Sequence, residues 1–248
     1  MTRGQPPAAS PAWAYMIDVD GTLLRLKPVP HGVKADRALL HVLDVLMRAT
    51  GGAVALVSGR SLADLDRLFP ALRLPMAGQH GAERRLAPGG NTVCASDAAL
   101  LDDARGRLRT RVENHPRLLL EDKGQSLALH YRRVPRLAGY VHRLLRAELA
   151  RLGHSHRLQR GHRVAELRPA GANKGSAVRA FLRESPFRGR LPVYLGDDRT
   201  DEDAFAVVNE LGGHTIRVGA GASAARWRLP DVTAVRRWLA GAGREQRR

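Results

Sequence analysis

Four short apolar runs stand out along the chain, each too short for a stable helix and each broken off by polar residues or glycine. They are Ala12 to Ile17, Ala53 to Val57, Pro192 to Leu195 and Thr215 to Val218. Continuous apolar runs of this length suit strands buried on both faces. Helical patterns separate or follow them over Ala35 to Ala49, Leu62 to Phe69, Lys174 to Arg183, Asp201 to Val208 and Asp231 to Ala240. Buried strands alternating with helices predict an α/β fold built on a doubly wound parallel sheet.

The middle of the chain has a different rhythm. Its strand candidates alternate apolar and polar residues and are joined by tight turns, as half-exposed antiparallel strands are. Glu83 to Leu86 and Thr92 to Cys94 flank Pro88-Gly89-Gly90-Asn91; Leu118 to Asp122 and Ser126 to Arg132 flank Lys123-Gly124; His156 to Leu158 and Val164 to Leu167 flank Gly161. Helical stretches over Asp97 to Asn114 and Pro135 to Leu152 lie between the pairs. The expected organisation is a loose N-terminal tail (1–11), a core from 12–84 and 166–240, an inserted α+β cap domain over 85–165, and a loose C-terminal tail (241–248).

Composition narrows the setting. No apolar run approaches the roughly 18 residues of a membrane span, and the Pro- and Ala-rich start lacks the apolar stretch of a secretory signal. The single cysteine, Cys94, cannot form an internal disulfide and has no metal-ligand neighbours, so a cytoplasmic location is expected. A net charge of +17 resembles the footprint of nucleic-acid binding. However, Lys27, Lys34, Lys123 and Lys174 are the only lysines, and the 37 arginines are scattered along the chain. That pattern reads as an Arg-rich solvated surface that attracts anionic substrates; no nucleic-acid partner is expected, and the chain is expected to be a monomer.

The chemistry gathers where the apolar runs stop. In an open parallel sheet, ligands bind beyond the carboxyl ends of the strands. Asp18 and Asp20 follow the first run, Ser58 the second, and Asp197 and Asp198 the third, while Lys174 opens a helix. Several carboxylates, a hydroxyl and a cation are what phosphoryl transfer needs: a nucleophile, charge neutralisation, and a proton donor for the leaving oxygen. Carboxylates also suit a hard cation such as magnesium. In Asp18-Val19-Asp20-Gly21-Thr22, residues i and i+2 share a side, Gly21 permits a sharp turn, and Thr22 can orient a neighbouring carboxylate. Chance would produce these four fixed positions with probability on the order of 10⁻³, so an idle acidic turn is the weaker reading.

Asp18 to Thr22, then Ser58, Lys174 and Gly196-Asp197-Asp198, resemble in order the four signatures of haloacid dehalogenase superfamily phosphatases. The resemblance implies a Rossmann-like core in which Asp18 attacks phosphorus to form an aspartyl phosphate. Asp20 would protonate the leaving oxygen and then activate water, Ser58 would bond the phosphoryl group, and Lys174 would balance its charge. It implies Mg2+ held by Asp18, the carbonyl of Asp20 and Asp197, with Asp201 or Asp198 in support.

Further segments resemble trehalose-6-phosphate phosphatases: 78–83, 121–124, 128–132, 164–169 and 196–202. This implies trehalose 6-phosphate as substrate, with Glu121, Lys123 and Glu166 reading the sugar and Gly59, Arg60 and His80 contacting the ligand. The sequence departs at Gly161-His162, where the family often has Gly-Lys, so a cationic contact there is weaker. Alternatives are a phosphatase of another sugar ester and, in another class, a basic nucleic-acid-binding protein on a phosphatase-like scaffold.

Overall fold

The computed structural model describes residues 4–26, 34–70, 72–86, 90–95, 99–161 and 163–242. The chain forms two compact units, one from Met1–Thr92 with Asn173–Arg248 and the other from Val93–Ala172.

The first unit is built on a sheet whose central strand is β1 (Ala14–Ile17). It pairs in parallel with β2 (Val54–Val57) on one side and β10 (Pro192–Gly196) on the other, with Ile17 opposite Leu56 and Leu195. Beyond β2 lie parallel β3 (Met76–Gly78) and antiparallel β4 (Glu83–Arg85); beyond β10 lie parallel β11 (His214–Val218) and β12 (Trp227–Leu229). The period of two in a strand sends alternate residues to opposite faces, and both faces are covered. Tyr15 and Ile17 share a core with Leu39, Leu43 and Leu46 of α1 (Arg37–Ala49), Leu65 of α2 (Leu62–Leu68) and Leu239 of α7 (Val232–Gly241). Ala14 and Met16 share the other with Val178 and Phe181 of α5 (Lys174–Leu182) and Phe205 of α6 (Glu202–Glu210). This is the doubly wound parallel sheet expected from the apolar runs.

The second unit opens with the two-residue β5 (Val93–Cys94) and carries an antiparallel sheet. Its strands are β6 (Leu119–Asp122), β7 (Leu127–His130), β8 (His156–Gly161) and β9 (Val164–Pro169), in the order β6-β7-β9-β8. Leu127, Leu129, Ala165 and Leu167 form one face and pack on Leu101, Ala104 and Leu108 of α3 (Ala99–Glu113) and on Val141 and Leu145 of α4 (Ala138–Leu152). The register Glu121–Ala128–Glu166–Gln159 runs across the opposite, polar side.

Several expectations need adjustment. Strand β4 pairs antiparallel with β3 as well and so extends the first unit's sheet. Glu166 to Pro169, assigned above to the core, complete β9 in the four-stranded sheet, where Ala165 and Leu167 supply apolar packing. The supposedly loose N-terminal tail is anchored where it is described. Trp238 donates to the Pro7 carbonyl and Tyr15 to the Ser10 carbonyl, both at 2.8 Å, and Ala9 is buried. Backbone carbonyls that satisfy buried donors leave no mark in composition, which is why the tail read as loose. At the other end α7 runs through Gly241, and Ala242 is buried; residues 243–248, like Asp97, lie outside the described residues.

Candidate active site

The residues that follow β1 fold back at once. Leu23 and Leu24 both donate their amides to the Val19 carbonyl at 2.9 Å, and Gly21 donates to the Leu24 carbonyl at 2.7 Å. Gly21 has φ 82°, and a Cβ there would lie 2.0 Å from Asp197 Oδ2. Glycine is therefore required twice, by the turn and by the carboxylate against it. The amide of Asp18 donates to the Leu195 carbonyl at 3.0 Å, which ties the end of β1 to the end of β10.

A buried charge cluster forms at these strand ends. Lys174, first residue of α5, reaches both Asp18 Oδ1 and Asp201 Oδ1 at 2.7 Å. Its helix start is secured by a capping box in which Asn173 and Ser176 bond each other's backbone. Asp18, Lys174 and Asp201 are 4%, 2% and 0% exposed. Asp201 accepts four bonds. Oδ1 takes the Tyr194 hydroxyl at 2.8 Å as well as Lys174, and Oδ2 takes the amides of Asp197 and Asp198 at 2.9 Å each.

Each ionisable group responds to its surroundings. Burial pushes Asp18 well above the usual carboxylate range, opposed by the ammonium of Lys174 and reinforced by the charge of Asp201. Asp197 is pushed up to about 6, first by burial and then by the charges of Asp201 and Asp198. Lys174 is raised despite its burial because Asp18 and Asp201 face it, so it stays charged. Asp18, Asp197 and Asp201 each bring a carboxylate oxygen within 4.8 Å of the others. Three crowded carboxylates against one ammonium leave surplus negative charge, and a donor set of oxygens alone is what a hard divalent cation takes. These three residues could hold a metal ion.

The other expected residues of the first unit gather alongside. Arg60 grips Asp20 with two bonds, Nε to Oδ2 at 2.6 Å and Nη2 to Oδ1 at 2.7 Å. Read from sequence as a ligand contact, it has its guanidinium on a carboxylate of the Asp18–Thr22 motif. The Arg60 amide also donates to the buried Ser58 hydroxyl at 3.1 Å. Thr22 reaches across to Asp197 Oδ1 at 3.5 Å, from one motif to another. His80 sits in the left-handed region at φ 57° and donates its amide to the Ser58 carbonyl at 2.8 Å. Its ring lies where a Cβ on Gly59 would be, 2.7 Å away. Asp198 accepts from the amide and hydroxyl of Thr200 at 2.8 and 2.6 Å.

In the second unit, the polar sheet face brings the remaining candidates together. Lys123 Nζ lies 3.4 Å from Glu166 and 3.9 Å from Glu121. Ser126 donates to Glu166 at 2.6 Å, and His130 Nε2 lies 2.8 Å from Glu121. His162 lies outside the described residues. Sequence reasoning missed Ser126 and Tyr194. A tyrosine in an otherwise apolar buried run was the available signal, because a buried phenol needs a hydrogen-bond partner.

The family profile described as trehalose-phosphatase matches residues 16–233. Over 235 residues the chain is 42% identical to the trehalose-6-phosphate phosphatase of Escherichia coli (strain K12), covering 95% of this chain and 88% of that protein. A crystal structure described as a trehalose-6-phosphate phosphatase related protein superposes with a TM-score of 0.74 at 27% identity, over 94% of this chain and 99% of that one. The C-terminal domain of the Candida albicans trehalose-6-phosphate phosphatase, at 22% identity, shares the fold with a TM-score of 0.70, over 92% of this chain and 91% of that one.

Proposed function

This chain belongs to the trehalose-phosphatase family, and from that premise we propose that it hydrolyses trehalose 6-phosphate to trehalose and inorganic phosphate. The observation that carries the reading is the convergence of Asp18, Lys174, Asp197 and Asp201 at the carboxyl ends of adjacent strands. Asp18 attacks phosphorus in line with the sugar oxygen, which leaves as Asp20 supplies a proton, giving an aspartyl phosphate. Water then attacks phosphorus as Asp20 takes its proton, and the bond from phosphorus to the Asp18 oxygen breaks, releasing phosphate and restoring the Asp18 carboxylate. Ser58 donates to a phosphoryl oxygen, and Lys174 balances its charge. The carboxylates of Asp18 and Asp197, with the carbonyl of Asp20 and support from Asp201, would hold Mg2+. When bound, Mg2+ neutralises charge on the phosphate and eases the approach of an anionic nucleophile.

The second unit is read as the cap that recognises the sugar. Its support is the polar row of Glu121, Lys123 and Glu166, since carboxylates accept from hydroxyls and lysine donates to them. We place the enzyme in the haloacid dehalogenase superfamily, in the cytoplasm, as a monomer; no described helix is long and apolar enough to cross a membrane. The test is phosphate release from trehalose 6-phosphate beside glucose 6-phosphate and sucrose 6-phosphate, with magnesium and with a chelator. Selective, magnesium-dependent release from trehalose 6-phosphate is expected. Release from another ester would keep the chemistry and overturn the sugar assignment.

A further inference from the structure

We propose that Tyr194 is a positioning residue for this hydrolysis: its hydroxyl fixes Asp201, which in turn orients Lys174 and the backbone of Asp197 and Asp198. Tyr194 lies in the middle of β10, opposite Met16 on one side and Thr215 on the other, and is fully buried. Its ring packs edge-on against Phe205 at 5.7 Å between centroids, within an apolar cluster. A hydroxyl there is costly to bury without a partner, and it donates to Asp201 Oδ1 at 2.8 Å.

The consequence lies in how Asp201 is used. Its two oxygens accept four donors, close to the full capacity of a carboxylate. Three of these donors belong to parts that must be aimed: the Lys174 ammonium and the amides of Asp197 and Asp198. The fourth, Tyr194, is anchored in the central sheet and acts as the fixed end. Gly196, two residues on and therefore on the same face of the strand, leaves room for this arrangement, since a Cβ there would lie 2.2 Å from Asp201 Cγ. Lys174 is shared between Asp18 and Asp201 at equal distances of 2.7 Å. Without the phenol, Asp201 Oδ1 would satisfy itself on Lys174 alone and draw the ammonium away from Asp18.

The inference rests on the proposed hydrolysis for its rate effect only. Tyr194→Phe is expected to lower kcat about tenfold while the KM for trehalose 6-phosphate stays within about twofold, and to speed amide hydrogen exchange at Asp197 and Asp198. Asp201→Asn should slow turnover at least as much, and the double variant should lose no more than Asp201→Asn alone, because the phenol acts through that carboxylate. Additive losses, or a lowered melting temperature with kcat and both amides unchanged, would overturn the proposal. A second reading needs no variant: the phenolic proton of Tyr194 should be a slowly exchanging signal in the proton NMR spectrum of the wild-type protein, and exchange at the solvent rate would overturn the link. If the wild type left trehalose 6-phosphate untouched, the substrate assignment would fall while the amide and phenol signals still judged the role of Tyr194.

Discussion

Each unit holds a lysine between two carboxylates, and the two sites are built on opposite terms. In the first, Lys174 is 2.7 Å from both Asp18 and Asp201, with side chains 2%, 5% and 0% exposed. In the second, Lys123 is 3.4 Å from Glu166 and 3.9 Å from Glu121, with side chains 27%, 19% and 46% exposed. Removing charges from water is repaid only by close, complete bonding, and the first cluster has it. Close bonding of this kind holds charge in place in advance, as the proposed phosphoryl transfer needs. Longer contacts at a half-exposed surface are weak and readily exchanged, which suits the proposed role of these groups in meeting sugar hydroxyls.

The sharpest way to break this contrast is Asp18→Asn. Turnover is expected to vanish while stability in urea changes by no more than about 1 kcal/mol, because the amide keeps an oxygen for Lys174 and removes a carboxylate that burial and the neighbouring acids disfavour against the opposing ammonium. Retained phosphate release would remove Asp18 as nucleophile. Next, Lys174→Met should cost about 3–5 kcal/mol of stability in addition to activity, since it strands two buried carboxylates; an unchanged denaturation midpoint would contradict the picture of a tightly bonded cluster. Glu166→Gln, on the exposed side, should raise KM about tenfold, worth about 1.4 kcal/mol, with kcat nearly kept. A loss confined to kcat would show that the polar sheet face is not simply a binding surface.

The smallest effect comes from an exposed reference outside both clusters. Asp36 caps α1 by accepting from the Leu39 amide and pairs with Arg236 at 2.6 Å, and these contacts lower its pKa. A depressed folded-state value means its stabilisation is complete above the unfolded value and is lost as pH falls through the folded one. Asp36→Ala should therefore cost about 1 kcal/mol at neutral pH, with the pH-dependent part of that difference fading below about pH 4. Chemical denaturation across pH reads this directly.

Much of the first cluster was legible because buried parallel strands announce themselves as apolar runs and their ends as the first polar residues. Asp18, Ser58 and Asp197 were located in this way, and Lys174 by its place at a helix start. The short strands β3 and β12 were not legible, since three residues carry no periodicity. Thr22 was expected to serve a neighbouring carboxylate, yet it reaches Asp197 from 175 residues away in sequence. Arg60 shows the same limit, because nothing in Ser58-Gly59-Arg60 announces a two-bond grip on Asp20.

By itself, the sequence determined the alternation of buried strands and helices, the chemical types at the strand ends, and the polar face of the second sheet. These are local properties: a strand's burial is written in its own side chains, and its alternation in their order. Only the tertiary structure decided which donor each carboxylate accepts. Asp201 draws on a lysine 27 residues away and a tyrosine 7 residues away, and Gly21 is required by Asp197 at the far end of the fold's sequence. Contacts of that kind depend on distances of about 3 Å between separate elements, which packing sets and residue order alone does not.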